Sequence, residues 1–130
     1  MKNLQITAYM QHFIRQQVMP GDICIDATMG NGNDTALLSQ LAGKRGRVLA
    51  FDIQKQALEH TKERLKRDNC PENYQLLLES HENMDVYAEE ETVSCITFNL
   101  GYLPGGDHSV ATRADSSIRA VESGLKLLKK

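Results

Sequence analysis

A run of glycines and acids at residues 26–34 carries the residue types that bind a small charged molecule. It follows the apolar residues 23–25 and precedes a helical pattern of apolar residues over 36–41. A strand, a glycine-rich turn and a helix start in this order predict a nucleotide-type binding turn. Gly30 and Gly32 can adopt positive φ and let a ligand approach the backbone, and the helix N-terminus adds amide donors.

The polar residues of this turn favour one class of ligand. A dinucleotide fingerprint has a third glycine and little negative charge next to the pyrophosphate. Here Asn33 and Asp34 follow Gly32 and no third glycine completes the fingerprint, while Asp26 ends the strand. Carboxylates at both ends of the turn repel a pyrophosphate but suit an ammonium group, such as the one in S-adenosylmethionine (SAM). The turn therefore favours a methyltransferase, and an ordinary strand–helix turn is the alternative.

A second acid follows a second apolar run further along the chain. Residues 47–51 have the composition of a buried strand, and Asp52 and Gln54 come directly after it. An acid at the tip of the second strand can accept hydrogen bonds from ribose hydroxyls. The alternative is that Asp52 caps the next helix, because Asp is a favoured N-cap. The glycine turn followed by an acid at this spacing favours the ribose role.

Four short motifs occur along the chain in an order that resembles a known enzyme family. They are Asp-Ala-Thr-Met-Gly-Asn-Gly-Asn-Asp-Thr at 26–35, Ala-Phe-Asp-Ile-Gln at 50–54 with Ala57, Thr61, Arg64 and Leu65, Ser-His-Glu at 80–82, and Asn-Leu-Gly-Tyr-Leu-Pro-Gly-Gly-Asp at 99–107. Together they resemble small bacterial class I methyltransferases labelled rRNA methylases, from about Leu4 to the last residue. The resemblance implies a Rossmann-like α/β fold, SAM as cofactor, and the aminomethyl group of 5-aminomethyl-2-thiouridine at the tRNA wobble position as substrate.

The predicted cofactor contacts lie at the ends of the predicted strands. They are Asp26, Thr28, Gly30, Asn31, Gly32, Asn33, Asp34, Asp52, Gln54, Ser80 and His81. The turn residues would hold the methionine end of SAM, and Asp52 and Gln54 its ribose. The family resemblance implies that Ser80 and His81 flank the adenine. A loop histidine without a partner is the alternative for His81.

Residues 99–102, Asn-Leu-Gly-Tyr, resemble the Asn-Pro-Pro-Tyr loop of amine methyltransferases, with Leu-Gly in place of Pro-Pro. In that loop the Asn oxygen and a backbone carbonyl accept hydrogen bonds from the acceptor amine. We therefore predict that Asn99 acts in the chemical step and that Tyr102 stacks on a pyrimidine. The amine must lose a proton before it attacks. Asp107 and His108 are candidate bases, and an exposed loop accounts for them equally well.

Length and composition predict one cytoplasmic domain over residues 1–130. No apolar run approaches membrane-spanning length, and no signal-peptide core follows Met1. Three cysteines without a Cys-x-x-Cys spacing favour a reducing compartment and argue against a zinc site or another metal centre. With a net charge of −2, the chain lacks the overall positive charge that favours non-specific nucleic-acid binding. The anticodon region of a tRNA would therefore bind through local basic patches.

Hydrophobic periodicity predicts strands alternating with helices, and therefore a parallel sheet with helical crossovers. The predicted helices cover 3–19, 35–41 and 54–68, and the predicted strands cover 22–26, 47–51, 74–78 and 93–98. A last helix is predicted from Thr112, which would cap it, with a buried face formed by Ala114, Ile118, Val121, Leu125 and Leu128.

The resemblance also implies the strand order 3-2-1-4 and further strands after the last helix, so we predict that the C-terminal strands of the domain are missing. An apolar fourth strand would not remain a bare edge, and a homodimer or a partner would then cover it. Two other functions stay open at this point. One is methylation of rRNA or of a small molecule, and the other is a non-catalytic fragment that only binds SAM.

Overall fold

The computed structural model describes residues 12–98 and 110–129, and within 110–118 it describes the backbone alone. A four-stranded parallel sheet with the order β3-β2-β1-β4 lies at the centre. Its strands are β1 (Ile23–Asp26), β2 (Arg47–Asp52), β3 (Tyr74–Leu78) and β4 (Cys95–Thr97). The helices are α1 (residues 12–17), α2 (Asn33–Ala42), α3 (Lys55–Arg67), a 3-10 helix (His81–Val86) and α4 (Val110–Leu127). The predicted α/β class and the order 3-2-1-4 are confirmed.

The two central strands are buried on both faces because helices cover both sides of the sheet. Alternate residues of a strand point to opposite faces. Ile25, Leu49 and Phe51 therefore face one core, which includes α4 and the 3-10 helix. Cys24 and Val48 face the other core, with apolar residues of α1 and α2. This double burial explains why the sequence of these strands is almost continuously apolar.

The fourth strand is shorter than predicted. Only Cys95–Thr97 pair with β1, whereas Val93 forms an isolated parallel bridge with Leu128. The Val93 amide donates to the Leu127 carbonyl at 2.9 Å, and the Lys129 amide donates to the Val93 carbonyl at 2.9 Å. The chain therefore returns to the sheet directly after α4. At Val93, the edge that the sequence predicted to need a partner is paired within the same chain.

The last helix begins earlier than predicted. It includes Val110, so Thr112 lies inside the helix and the predicted Thr112 cap is wrong. Cap prediction from one sequence is weak here because several residues before Thr112 are polar or small. The predicted first helix covers 3–19, and of that range residues 12–17 are helical in the part of the chain that is described.

The predicted buried face of α4 is wrong at Val121 and Leu125, whereas Leu128 is partly buried and packs against the core as predicted. Ala120 and Leu127 are buried, whereas Val121 is 39% exposed and Leu125 is 67% exposed. A Cβ added to Gly124 would lie 3.1 Å from the Ile96 side chain. The helix therefore turns its small residues toward β4, because they let it approach the sheet closely. Within residues 12–98 and 110–129, no helix is long and apolar enough to cross a membrane.

Candidate functional site

The glycine turn lies at the carboxyl end of β1 and is joined to β2. The Met29 amide donates to the Phe51 carbonyl at 2.9 Å, and the Gly32 amide closes the turn by donating to the Met29 carbonyl at 2.7 Å. Gly30 has a φ of +52° and Gly32 a φ of +87°. Both conformations favour glycine. The prediction that these two residues supply positive φ is confirmed.

Position 32 requires glycine for steric reasons as well as for its positive φ. It is the N-cap residue of α2, and it lies against Thr61 of α3. A Cβ at Gly32 would lie 2.9 Å from the Thr61 Cα and 3.2 Å from its side chain. At Gly30, in contrast, a Cβ would meet no other residue within 4 Å in the part of the chain that the structure describes. The backbone at Gly30 is therefore open to a ligand, while Gly32 lets α3 pack on the turn.

Asp52 connects the tip of β2 to this turn. Its Oδ2 accepts a hydrogen bond from the Gly30 amide at 3.2 Å, and its Oδ1 accepts one from the Gln54 amide at 2.9 Å. The N-cap of α3 is Gln54, so the alternative in which Asp52 caps this helix is wrong. The Gln54 side chain is exposed and makes no capping hydrogen bond. The Asp52 carboxylate is thus held beside the turn, with lone pairs left for a further donor.

Two residues of α3 complete this support. The Thr61 hydroxyl donates to the Gly30 carbonyl at 3.3 Å, and Arg64 Nε donates to the Asn31 carbonyl at 3.0 Å. We call Asp52, Thr61 and Arg64 the turn clamp. In the sequence of α3, Thr61 shares its spacing with the apolar residues Ala57 and Leu65, whereas Arg64 lies among the charged residues. The i, i+3 spacing of Thr61 and Arg64, which places both on one face of a helix, was the available signal that they act together.

Asp26 supports the turn from the interior. Its side chain is 1% exposed, its Oδ2 accepts a hydrogen bond from the Thr35 hydroxyl at 2.6 Å, and its Oδ1 accepts one from the Thr28 amide at 3.2 Å. Burial raises the pKa of Asp26 to about 7, and the charge of Asp34 acts in the same direction while the bond from Thr35 opposes it. Asp26 therefore joins the end of β1 to α2, and its predicted contact with a ligand stays a prediction.

The remaining turn residues surround the N-terminus of α2. Asn31 and Asn33 are exposed, and the Asn31 Oδ1 accepts a hydrogen bond from the Asn33 amide at 3.2 Å. Asp34 lies in the first turn of α2, and partial burial raises its pKa. Backbone amides and carboxylates thus occur together at this end of the helix, as the sequence predicted for the methionine end of SAM.

Ser80 and His81 follow β3 and begin the 3-10 helix. The Ser80 hydroxyl is the cap of this helix and accepts a hydrogen bond from the Glu82 amide at 3.4 Å. His81 Nδ1 lies 3.1 Å from the Ala27 carbonyl, and the ring lies 6.0 Å from the Phe98 ring between centroids. The alternative of a loop histidine without a partner is therefore wrong. His81 lies near the ends of β1 and β4.

The structure brings the predicted cofactor residues together along one edge of the sheet. The turn after β1, Asp52 after β2 and His81 after β3 all lie at carboxyl ends of parallel strands, where ligands bind in open α/β sheets. Asn99, Tyr102 and Asp107 lie outside the described residues, and they follow β4 in sequence. Within the described part of the chain, no group of three or more His, Cys, Asp or Glu residues is arranged to hold a metal ion.

Comparison with known proteins agrees with this geometry. A family model described as "Putative rRNA methylase" matches residues 48–130. The chain belongs to this putative rRNA methylase family, a family of class I SAM-dependent methyltransferases. A tRNA (mnm(5)s(2)U34)-methyltransferase, chloroplastic, of Arabidopsis thaliana is 37% identical over 131 residues, which cover 91% of this chain and 47% of the relative. The predicted family is confirmed.

Two solved methyltransferase structures share the fold. A putative rRNA-methylase from Clostridium thermocellum is 43% identical with a TM-score of 0.84, and the match covers 94% of this chain and 65% of that one. A putative methyltransferase from Streptococcus mutans, solved in complex with SAH, is 39% identical with a TM-score of 0.80, covering 95% and 66%. The chain thus spans about half the length of the curated relative and about two thirds of these solved chains.

Proposed function

We propose that this chain forms the cofactor-binding part of a methyltransferase that methylates the aminomethyl group of 5-aminomethyl-(2-thio)uridine at the tRNA wobble position. The observation that carries the proposal is the Asp52 carboxylate, held beside the open backbone of Gly30 at the carboxyl edge of the sheet. The Arabidopsis relative, a tRNA methyltransferase, supports the substrate. The Streptococcus mutans relative, solved with SAH, supports the cofactor.

The described residues fit SAM by their chemistry. Apart from Gly30 and its chain neighbours, no atom of the described residues lies within 4 Å of a Cβ position at Gly30, which leaves room for a ligand against the backbone of the turn. Backbone amides and the Asp34 carboxylate at the start of α2 suit the carboxylate and the ammonium of an amino acid. Asp52, whose oxygens each accept only one hydrogen bond among the described residues, suits two ribose hydroxyls.

When bound, SAM supplies a methyl group on a sulfonium, which an amine attacks in line with the departing sulfur. The protein's part in such a displacement is to position two partners and exclude water. We propose that Asn99 accepts a hydrogen bond from the amine and orients its lone pair, and that Tyr102 stacks on the uracil ring. Asp107 stays a candidate base. The anticodon region of the tRNA is the proposed partner.

Calorimetric titration of the 130-residue chain with SAM, SAH and NAD tests the cofactor. We expect Asp52→Ala to weaken SAM binding by about 1–3 kcal/mol, because ribose hydroxyls and the Gly30 amide lose their acceptor. Asp52→Asn is the matched variant, since its amide keeps one acceptor oxygen and loses the other. It should fall between wild type and Asp52→Ala. Equal SAM affinity in all three proteins, or tighter binding of NAD than of SAM, would contradict the proposal.

Methyl transfer from labelled SAM tests the substrate. The proposal predicts incorporation into tRNA that carries the aminomethyl group and none into the same tRNA with an unmodified wobble uridine. Incorporation into rRNA or small amines alone would assign a different methyltransferase. Cofactor binding with no transfer to any of these acceptors would show that the chain binds SAM without catalysis.

A further inference from the structure

The hydrogen bond between His81 and Ala27 determines which ring nitrogen carries a proton. Nδ1 lies 3.1 Å from the Ala27 carbonyl oxygen. A carbonyl oxygen can only accept a hydrogen bond, so Nδ1 must donate it. In the neutral imidazole the other nitrogen, Nε2, then carries a lone pair. Within residues 12–98 and 110–129, Nε2 forms no hydrogen bond.

The ring is also placed near the strand tips where the methyl acceptor is expected. Ala27 directly follows β1, and Phe98, whose ring lies 6.0 Å from that of His81, directly follows β4. His81 is partly exposed and begins the 3-10 helix, which packs against α4. The His81 ring therefore lies beside the ends of β1 and β4. Asp52, the predicted ribose contact, lies at the end of the neighbouring strand β2.

The surroundings of His81 keep the imidazole neutral at neutral pH. Burial lowers its pKa, while the hydrogen bond to Ala27 and the charges of Glu82 and Asp52 act in the opposite direction. Glu82 is itself engaged by α4, because Arg119 Nε lies 3.0 Å from its Oε2. A neutral imidazole with a fixed tautomer can accept a proton through Nε2 without first losing one.

We propose that His81 takes, through Nε2, the proton that the acceptor ammonium loses before methyl transfer. The N–H bond of the ammonium breaks, the proton forms an imidazolium, and the freed lone pair attacks the methyl carbon. The bond between carbon and sulfur breaks with its electrons going to sulfur, which leaves a neutral thioether and a secondary ammonium. The imidazolium returns its proton to water. This proposal rests on the proposed function, because it needs an amine acceptor and a methyl donor.

Nitrogen NMR of the labelled chain tests the tautomer without any turnover. The geometry predicts that the neutral His81 ring carries its proton on Nδ1 and that it titrates below an ordinary histidine. A proton on Nε2, or a titration at or above that of free histidine, would overturn the proposal.

His81→Asn separates proton transfer from anchoring. The Asn amide nitrogen lies the same number of bonds from Cα as Nδ1 and can still donate to the Ala27 carbonyl, but no group replaces Nε2. We expect this variant, at saturating SAM, to lose roughly 10²–10⁴-fold in kcat/KM on aminomethyl tRNA near neutral pH. In wild type, protonation of His81 should lower kcat/KM at acidic pH. This decrease should be absent from the pH profile of the variant. His60→Asn, the matched control at an exposed position of α3, should keep both the rate and the profile.

The outcomes distinguish this proposal from the proposed function. An active wild type beside a His81→Asn variant with the same rate and pH profile overturns the role of His81 and leaves the methyltransferase in place. A wild-type chain that binds SAM and methylates no acceptor overturns the role of His81 and the proposed methyl transfer, and leaves SAM binding alone. Loss of SAM binding in His81→Asn would assign the residue to the cofactor instead.

Discussion

Replacement of Gly32 by alanine should destabilise the protein for two reasons that can be measured separately. At a φ of +87°, an L-residue costs about 1–2 kcal/mol. The new Cβ would also lie 2.9 Å from the Thr61 Cα, and overpacking of this kind costs about 1–3 kcal/mol. We therefore expect Gly32→Ala to lower the free energy of unfolding by roughly 2–5 kcal/mol.

Gly21→Ala is the matched control for the conformational part. Gly21 has a φ of +91°, close to that of Gly32, and among residues 12–98 and 110–129 a Cβ there would meet nothing within 4 Å. This variant should lose only about 1–2 kcal/mol. The entropy that alanine removes from the unfolded chain is the same in both variants and cancels in the comparison. The difference between the two therefore reports the contact with Thr61.

Denaturant unfolding of wild type, Gly21→Ala and Gly32→Ala measures these values. Equal losses in the two variants would refute the close approach of α3 to the turn. Thr61→Ser gives a second check, because it removes the methyl group but leaves the Cα, which is the nearest atom. In that background Gly32→Ala should remain destabilising. Complete rescue would show that the side chain, and not the backbone of α3, limits the space at Gly32.

Two further predictions concern Asp26 and α4. The raised pKa of Asp26 means that the folded state keeps a proton that the unfolded state releases, so this carboxyl lowers stability as pH rises from about 4 to 7, by on the order of 4 kcal/mol. The unfolding free energy of Asp26→Asn should therefore improve relative to wild type between pH 5 and pH 8, and a difference independent of pH would contradict the burial argument. On α4, Leu127→Ala should cost about 2–5 kcal/mol, whereas Leu125→Ala, at a side chain that is 67% exposed, should change stability by less than about 1 kcal/mol. Chemical denaturation measures the unfolding free energies of all these variants. Equal losses for Leu127→Ala and Leu125→Ala would support the buried face that the sequence predicted for α4.

The amino-acid sequence was sufficient for the local elements and for the location of the site. Buried strands, the glycine turn and the acid at position 52 are patterns of neighbouring residues, so their periodicity and spacing predict β1, β2, α2 and α3 to within a few residues. Because polar residues follow each predicted strand, and parallel strands end at the same edge of a sheet, their common location was also predictable. The family motifs added the strand order, which periodicity alone does not contain.

Contacts between distant segments were decided only by the tertiary structure. The spacing of apolar residues in α4 predicted one buried face, whereas the helix packs Ala120 and Gly124 toward β4, because a small residue at 124 lets the helix approach Ile96. From the sequence alone, Arg64 is expected at the surface. In the structure α3 packs on the glycine turn, and Arg64 therefore donates a hydrogen bond to the Asn31 carbonyl. Likewise, the hydrogen bond from His81 to Ala27 joins residues 54 positions apart. Sequence spacing describes which residues share an element, whereas these contacts depend on how elements pack, and packing depends on the volumes of all the side chains between them.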